Sequence, residues 1–467
     1  MMTNKVKVLC KLVLITTIML AIIPIGTAQN KRPNIVVIMT DQQTANAMSC
    51  AGNTDLKTPA MDLLAANGTR FTKAFCSQPL CGPSRSSMLT GQYPHQLDAS
   101  VNLPERSGYW KAKNVDLMGK VFLNSGYNTG YIGKWHLPIS IHDIDKHGFE
   151  LITNTVERDW QDASIPADCY EFIKKQNDEK PFLMVASFIN PHDICEWARK
   201  QSLRMEPISD APAPSECPEV PANYVIPEGQ PDILDYVQSL SWKTYPTNDW
   251  NKDNWRQYRW AYYQLVERVD AYVGNVIHTL DKLKVLDNTV IIFLSDHGDG
   301  VGSHQWNQKQ VLYQESVNVP FIVSDFRNKQ NGTNTRQLVN IGLDLIPTMC
   351  DYAGIQQPLS MKGQSQKKFA LNPDLYDDKK MLVLETSFAN GTNTSGVSGR
   401  CIIKDDWKYI IYNKGKKRDQ LFNLADDPGE MNDMTEDMSK RKIKKELVSL
   451  LKEWGENTND ELVKDLF

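Results

Sequence analysis

The sequence predicts an α/β fold, with a mostly parallel sheet sandwiched by helices and a smaller antiparallel-sheet domain following it. Continuous apolar runs at 34–40, 181–189 and 289–295 lack polar alternation, as in strands buried on both faces, and a shorter run at 129–133 joins them. Each run ends at polar or ionisable residues: Asp41-Gln42, Lys134-Trp135-His136, His192-Asp193 and Asp296-His297. After about residue 372 the runs become short and are separated by Gly, Asn and Asp turns, which is antiparallel patterning. A chain of 467 residues has room for two or three domains, and these signals divide it into 29–372 and 373–467.

Taken in order, the N-terminus carries Lys5, Lys7 and Lys11, an apolar run at 12–25, then Gly26-Thr27-Ala28. That is the order of a secretory signal over 1–28, and it predicts a periplasmic or secreted product. The run is shorter than the ~20 residues a membrane span needs, and no later segment supplies them, so no membrane anchor is expected. Thr58-Pro59 opens a helix that Gly68 closes. The Pro-rich segment 206–231 reads as a surface excursion able to roof a site. Tyr258, Tyr262, Leu265, Val269, Tyr272, Val276, Leu280 and Leu283 recur at helical spacing, and the aromatic stripe reads as core packing. Short strands follow at 381–387, 397–403, 406–412 and 419–424, and an amphipathic helix at 439–454.

Lys and Arg total 52 against 56 Asp and Glu, a net charge of -4, so the bulk positive charge of a nucleic-acid binder is missing and an anionic ligand needs a local basic pocket. Nine cysteines are present, Cys10 within the signal; the other eight are too scattered to read as a disulfide framework.

In open α/β sheets ligands bind beyond the carboxyl ends of the strands, so four polar strand endings point to one shared site. Asp41 and Asp296 would repel one another there unless a cation lay between them. Cys81-Gly82-Pro83-Ser84-Arg85, followed by Ser86-Ser87-Met88-Leu89-Thr90-Gly91, adds a distinctive motif. Taken alone, Cys81 would be a structural thiol, paired or not with Cys76. The motif resembles that of the sulfatases, in which the Cys of Cys-x-Pro-Ser-Arg is oxidised to formylglycine, and Asp41, Lys134, His136, His192, Asp296 and Lys309 fall in that family's order.

The resemblance implies an alkaline phosphatase-like fold. It implies conversion of Cys81 by a formylglycine-generating or anaerobic sulfatase-maturating enzyme. The hydrated aldehyde would offer one hydroxyl to attack sulfur and a second whose deprotonation expels sulfate. Sulfate monoesters of sugars resist hydrolysis strongly enough that on the order of 20 kcal/mol of barrier must be removed. Asp41, Gln42, Cys81, Asp296 and His297 would hold a divalent cation, Ca²⁺ or Mg²⁺, with Gln42 and His297 departing from the commonest Asp and Asn of the family. Arg85 and Lys134 would neutralise the sulfate, His136 would serve as base, and His192 with Lys309 would hold the ester oxygen and protonate the leaving alkoxide. His304 would be a supporting group. The stretches Met39-Thr40-Asp41-Gln42-Gln43-Thr44-Ala45, Phe188-Ile189-Asn190-Pro191-His192-Asp193-Ile194-Cys195-Glu196-Trp197 and Gln305-Trp306-Asn307-Gln308-Lys309 look like bacterial heparin and heparan sulfate 2-O-sulfatases acting on unsaturated uronic acid. The partner so implied is a sulfated glycosaminoglycan oligosaccharide, whose carboxylate needs a further cation; Arg106 and Lys175 are the candidates. A phosphohydrolase of the same superfamily, or a catalytically idle binder of sulfated glycans, are the rival readings.

Overall fold

The fold is that of a computed structural model that describes residues 31–104, 115–153, 161–177 and 179–467. The expected signal segment and Arg106 lie outside the described residues. Among the described residues no helix is long and apolar enough to cross a membrane.

The four apolar runs become β1 (Asn34–Asp41), β4 (Asn128–Gly133), β6 (Phe182–Pro191) and β7 (Thr289–Ser295). They sit side by side in an eight-stranded sheet ordered β5-β4-β6-β1-β7-β8-β2-β9, where β2 is Thr69–Phe71, β5 Leu151–Thr153, β8 Phe321–Asp325 and β9 Gly332–Asn334. β4, β6, β1 and β7 pair in parallel, and β8 runs antiparallel to both β7 and β2. Alternate residues of β1 explain the unbroken apolar run. Ile35, Val37 and Met39 pack on one face against Met88, Leu89, Met118 and Leu345, while Val36 and Ile38 pack on the other with Met61, Ile165, Tyr262 and Val266. Helices therefore cover both faces, with Cys81–Thr90 and Ile341–Ala353 on the first and Pro59–Ala66, Ile165–Lys174 and Lys252–Lys282 on the second. The small strands β3 (Ala74–Phe75) and β10 (Val339–Asn340) pair beside the sheet.

Four antiparallel strands form the C-terminal sheet: β11 (Met381–Asn390), β12 (Asn393–Lys404), β13 (Trp407–Tyr412) and β14 (Asp419–Asn423). One of its faces, with Leu382, Leu384, Cys401, Ile403 and Ile410, joins the first-face core of the large sheet. The other, with Val383, Ile402, Tyr409 and Leu421, takes Leu447, Leu451 and Trp454 of the helix Arg441–Thr458. Residues Pro33–Phe467 thus make one compact unit.

The excursion 206–231 does not roof the strand ends. It lies along the helix Lys252–Lys282, where Arg256 donates to the carbonyls of Ser215 and Cys217 and Arg268 to those of Glu206 and Pro207. Arginines of this helix meet the free carbonyls of a chain too rich in proline to pair as a strand.

Candidate active site

The carboxyl ends of β1, β4, β6 and β7 deliver their polar residues to one place, at the N-terminus of the Cys81–Thr90 helix. At its first turn a Cβ on Gly82 would stand 2.9 Å from Asn102 Oδ1, the atom that accepts the Gly82 N–H, so a larger residue would displace that acceptor. Gly133 ends β4 at φ +105°, and a Cβ there would meet the Ser187 carbonyl at 2.0 Å. Only glycine allows that turn, and it brings Lys134 inward.

Cys81 is buried, with its Sγ 3.1 Å from His297 Nε2, 3.2 Å from Lys309 Nζ and 3.6 Å from Asp41 Oδ1. His136 and His192 line the same cleft as Cys81. Arg85 lies beneath, donating from Nε to Asp296 Oδ2 at 2.8 Å and from Nη2 to Asp41 Oδ2 at 2.9 Å. Lys134 Nζ reaches the same Asp41 oxygen at 2.6 Å. Burial would raise the Asp41 pKa, but Lys134, His192, Arg85 and Lys309 together hold its carboxyl well below the usual range. Burial and Asp41 push the Cys81 thiol up, yet Lys134, Lys309 and His297 outweigh them and favour the thiolate. Burial and the neighbouring Asp41 push Asp296 up to about 7. Burial, Lys309 and Lys134 press His192 down to about 3, and burial lowers His136, so both imidazoles are neutral at pH 7. Burial would deprotonate Lys309, but Cys81, Cys195 and Asp41 keep it charged.

One ligand atom each from Asp41, Cys81, Asp296 and His297 falls within 4.8 Å of the others, all four residues buried. His297 Nδ1 bonds the Gly298 carbonyl, which fixes the tautomer and leaves Nε2 facing Cys81. This donor set suits a divalent cation. Gln42 stands beside it, its Oε1 accepting from Lys309 Nζ at 2.8 Å and its backbone N–H donating to Asp296 Oδ1 at 3.2 Å.

A cleft of about 470 Å³ opens above Cys81, His136, His192 and Lys309. The end of the helix Asp232–Thr244, with Val237, Leu240, Lys243 and Tyr245, walls one side; the β11–β12 hairpin, with Ala389, Asn390, Asn393 and Ser395, walls the other. Gln310 fastens the hairpin through the Ala389 carbonyl at 3.0 Å and N–H at 2.7 Å.

Lys175 is not part of this site. It is exposed at the end of the Ile165–Lys174 helix that leads back to the start of β6, and the adjacent Gln176 bonds Asn128 at the start of β4. This is the edge of the sheet opposite the strand endings. His304 also turns elsewhere, bonding the Gly429 carbonyl at 2.8 Å. Tyr258 and Tyr262 are core residues as expected, but their hydroxyls do more, donating to Asp299 at 3.0 Å and to the Gln42 carbonyl at 2.8 Å. Asp299, Gln308 and Cys195 were not singled out by the sequence reading. The signal for Asp299 was its place in Asp296-His297-Gly298-Asp299, directly after β7. No disulfide joins the eight described cysteines.

The sulfatase family model matches residues 33–355, across the large sheet and every residue around Cys81. The chain belongs to the sulfatase family. A second model, the C-terminal region of N-sulphoglucosamine sulphohydrolase, matches residues 302–457 of this sulfatase. It is similar to the Delta 4,5-hexuronate-2-O-sulfatase of Bacteroides thetaiotaomicron, 27% identical over 460 residues, which cover 95% of this chain and 92% of the relative. It is also similar to the N-acetylglucosamine-6-O-sulfatase of that organism, 26% identical with 94% and 90% covered. Among solved structures, a 2-O GAG sulfatase superposes with a TM-score of 0.79 at 27% identity, covering 92% of this chain and 93% of the other. A phosphonate monoester hydrolase of Agrobacterium radiobacter superposes at 0.73 with 19% identity, a likeness of fold alone. This sulfatase is therefore a hydrolase of sulfate esters with the alkaline phosphatase-like fold. Two relatives of different positional specificity at nearly equal identity leave the sugar to be argued separately.

Proposed function

We propose that this sulfatase removes the 2-O-sulfate from a Δ4,5-unsaturated uronic acid at the non-reducing end of heparin or heparan sulfate oligosaccharides, working outside the cytoplasm after export by residues 1–28. The observation that carries the chain-end reading is a cation-ringed Cys81 at the floor of a cleft walled on two sides. The likeness to a hexuronate-2-O-sulfatase and to a 2-O GAG sulfatase favours the sugar. We further propose that Cys81 is converted to formylglycine by a maturating enzyme, because a thiolate has no second hydroxyl through which to release sulfate.

Asp41, Gln42, Asp296 and His297, with position 81, would hold a divalent cation, and the oxygen ligands among them favour Ca²⁺. That ion supplies polarisation of a sulfate oxygen when bound. The chain's own residues do the rest. Arg85 is engaged by both carboxylates and fixes their spacing, while Lys134 and Lys309 present charge to the anion. His136, neutral, is able to accept a proton at position 81 during sulfate release. Lys309, kept protonated, donates toward the bridging ester oxygen and His192 hydrogen-bonds it.

The test compares sulfate release from the unsaturated 2-O-sulfated disaccharide, a 6-O-sulfated glucosamine and intact polymer. The disaccharide should be hydrolysed fastest; preference for the glucosamine or the polymer would remove the substrate assignment and leave sulfate-ester hydrolysis in place. Intact-mass analysis should find position 81 as formylglycine in active protein.

A further inference from the structure

We propose that Asp299 is a positioning residue for catalysis, which sets the orientation of the Gln42 carboxamide and through it the position of Lys309. Asp299 is fully buried, and none of the described Lys or Arg residues forms an ion pair with it. Its carboxylate is satisfied by N–H and O–H donors instead: Gln42 Nε2 at 2.7 Å, Tyr258 Oη at 3.0 Å, the Val301 N–H at 2.8 Å and the Gln308 N–H at 3.1 Å. An ionised carboxylate only accepts, so the nitrogen end of the Gln42 amide has to face it. The oxygen end then faces Lys309 Nζ at 2.8 Å, and Lys309 Nζ lies 3.2 Å from Cys81 Sγ. A reversed amide would set NH₂ against an ammonium on one side and an oxygen against a carboxylate on the other, so both ends select the same orientation.

Asp299 also holds the backbone around this relay. Gln42, Val301 and Gln308 have φ of +73°, +45° and +76°, a region that side chains other than glycine rarely occupy. All three donate to Asp299, two through their backbone N–H. Strain persists only where surrounding contacts over-determine it, and here one carboxylate supplies those contacts. Gln308 immediately precedes Lys309, so Asp299 steadies the ammonium through the chain as well as through Gln42. The same carboxylate explains why Tyr258, reaching in from the Lys252–Lys282 helix, spends its hydroxyl here.

The decisive experiment is a reciprocal exchange, scored on kcat with an aryl sulfate and a sugar sulfate. Asp299→Asn trades one accepting oxygen for an NH₂, which must face either the Gln42 amide and the Gln308 N–H or the Val301 N–H, and Gln42→Glu sets a carboxylate against Asp299; each should lower kcat at least tenfold with little change in KM. When Asp299→Asn and Gln42→Glu are combined, the amide introduced at position 299 donates to the carboxylate introduced at position 42. The other oxygen of that carboxylate again accepts from Lys309, and at least tenfold of the loss should return. A double variant as slow as the slower single would overturn the proposal, as would Asp299→Asn with wild-type kcat. Should the singles not fold, Tyr258→Phe removes one donor to Asp299 without reaching the cleft. It should lower kcat severalfold at unchanged KM, and an unchanged kcat would overturn the proposal. The effect is read through Lys309, whose leaving-group role rests on the function proposed above. Lys309→Ala on both substrates tests that role separately, because the exchange is scored on total kcat whichever step Lys309 serves.

Discussion

At Cys81, Asp41 and Asp296 face Arg85, Lys134 and Lys309 around a buried sulfur; at His95, Glu385 and Asp460 face Arg400 and one imidazole. Both groups bring a histidine and carboxylates within a few ångströms. The second is closed on itself. His95 Nδ1 lies 2.5 Å from Glu385 Oε1 and Nε2 lies 3.2 Å from the Thr458 carbonyl, so both ring nitrogens face acceptors and the imidazolium satisfies both. Arg400 Nε takes Asp460 at 2.6 Å, and Tyr93 and Trp454 flank the ring. This clasp fastens the segment after the Cys81–Thr90 helix to β11, β12 and the C-terminal helices. The Cys81 group instead leaves Lys309 lining a cleft, and strained residues, Gln42 at φ +73°, His136 at +50° and Gln308 at +76°, gather around it. The same residue types build a fastening where every donor meets an acceptor, and a reactive site where the backbone holds charges short of mutual neutralisation.

The largest expected break of this contrast is Cys81→Ala. Turnover should fall by about 10³-fold or more, while thermal unfolding shows a folded protein. Survival of activity would mean that Cys81 is only a buried thiol. Next, Asp41→Asn should be costly at both levels. It leaves Lys134 and part of Arg85 without a buried counter-charge, a loss of roughly 3–5 kcal/mol by denaturant unfolding. It should also lower bound divalent metal as measured by elemental analysis, and chelation of the wild type should stop sulfate release.

Lys309→Ala sharpens the site further. A sugar alkoxide needs protonation and a phenolate needs little, so kcat should drop on the order of 10²-fold for sugar sulfates and much less for aryl sulfates. Equal losses would deny a proton-donating role.

The smallest effect belongs to the clasp. Burial lowers the His95 pKa, but Glu385 and Asp460 raise it more, so its folded value lies above the ordinary 6.5. A group raised on folding contributes fully below the unfolded value and loses that contribution as pH rises through the folded one. His95→Gln should therefore cost about 1–3 kcal/mol below pH 6.5 and progressively less in alkali, with sulfate release per folded molecule unchanged. A pH-independent cost would show that the ring acts by packing against Trp454 alone.

The clasp was invisible in the sequence because His95 lies hundreds of residues from its carboxylates and no member sits in a motif: His95 meets Glu385 290 positions away. Lys175 failed for a related reason. Its charge suits a substrate carboxylate, but a helix running back along the sheet carries it to the opposite edge. The wall of the cleft, expected from 206–231, came from the helix after that excursion and from a hairpin of the C-terminal sheet.

The sequence by itself determined the buried parallel strands, the polar ends that follow them and the Cys81 motif, because unbroken apolar runs admit few environments and a strand must deliver its next residue at its own end. It determined the four C-terminal strands for a similar reason, since turn residues mark each reversal. Tertiary structure alone decided which way the Gln42 amide faces, that Asp299, itself braced by Tyr258, holds it, and that two distant elements wall the cleft. Those outcomes depend on hydrogen bonds such as Gln42 to Asp299 and Lys309 to Gln42, which span 257 and 267 positions, and such pairings exist only once the sheet has brought the strand ends together.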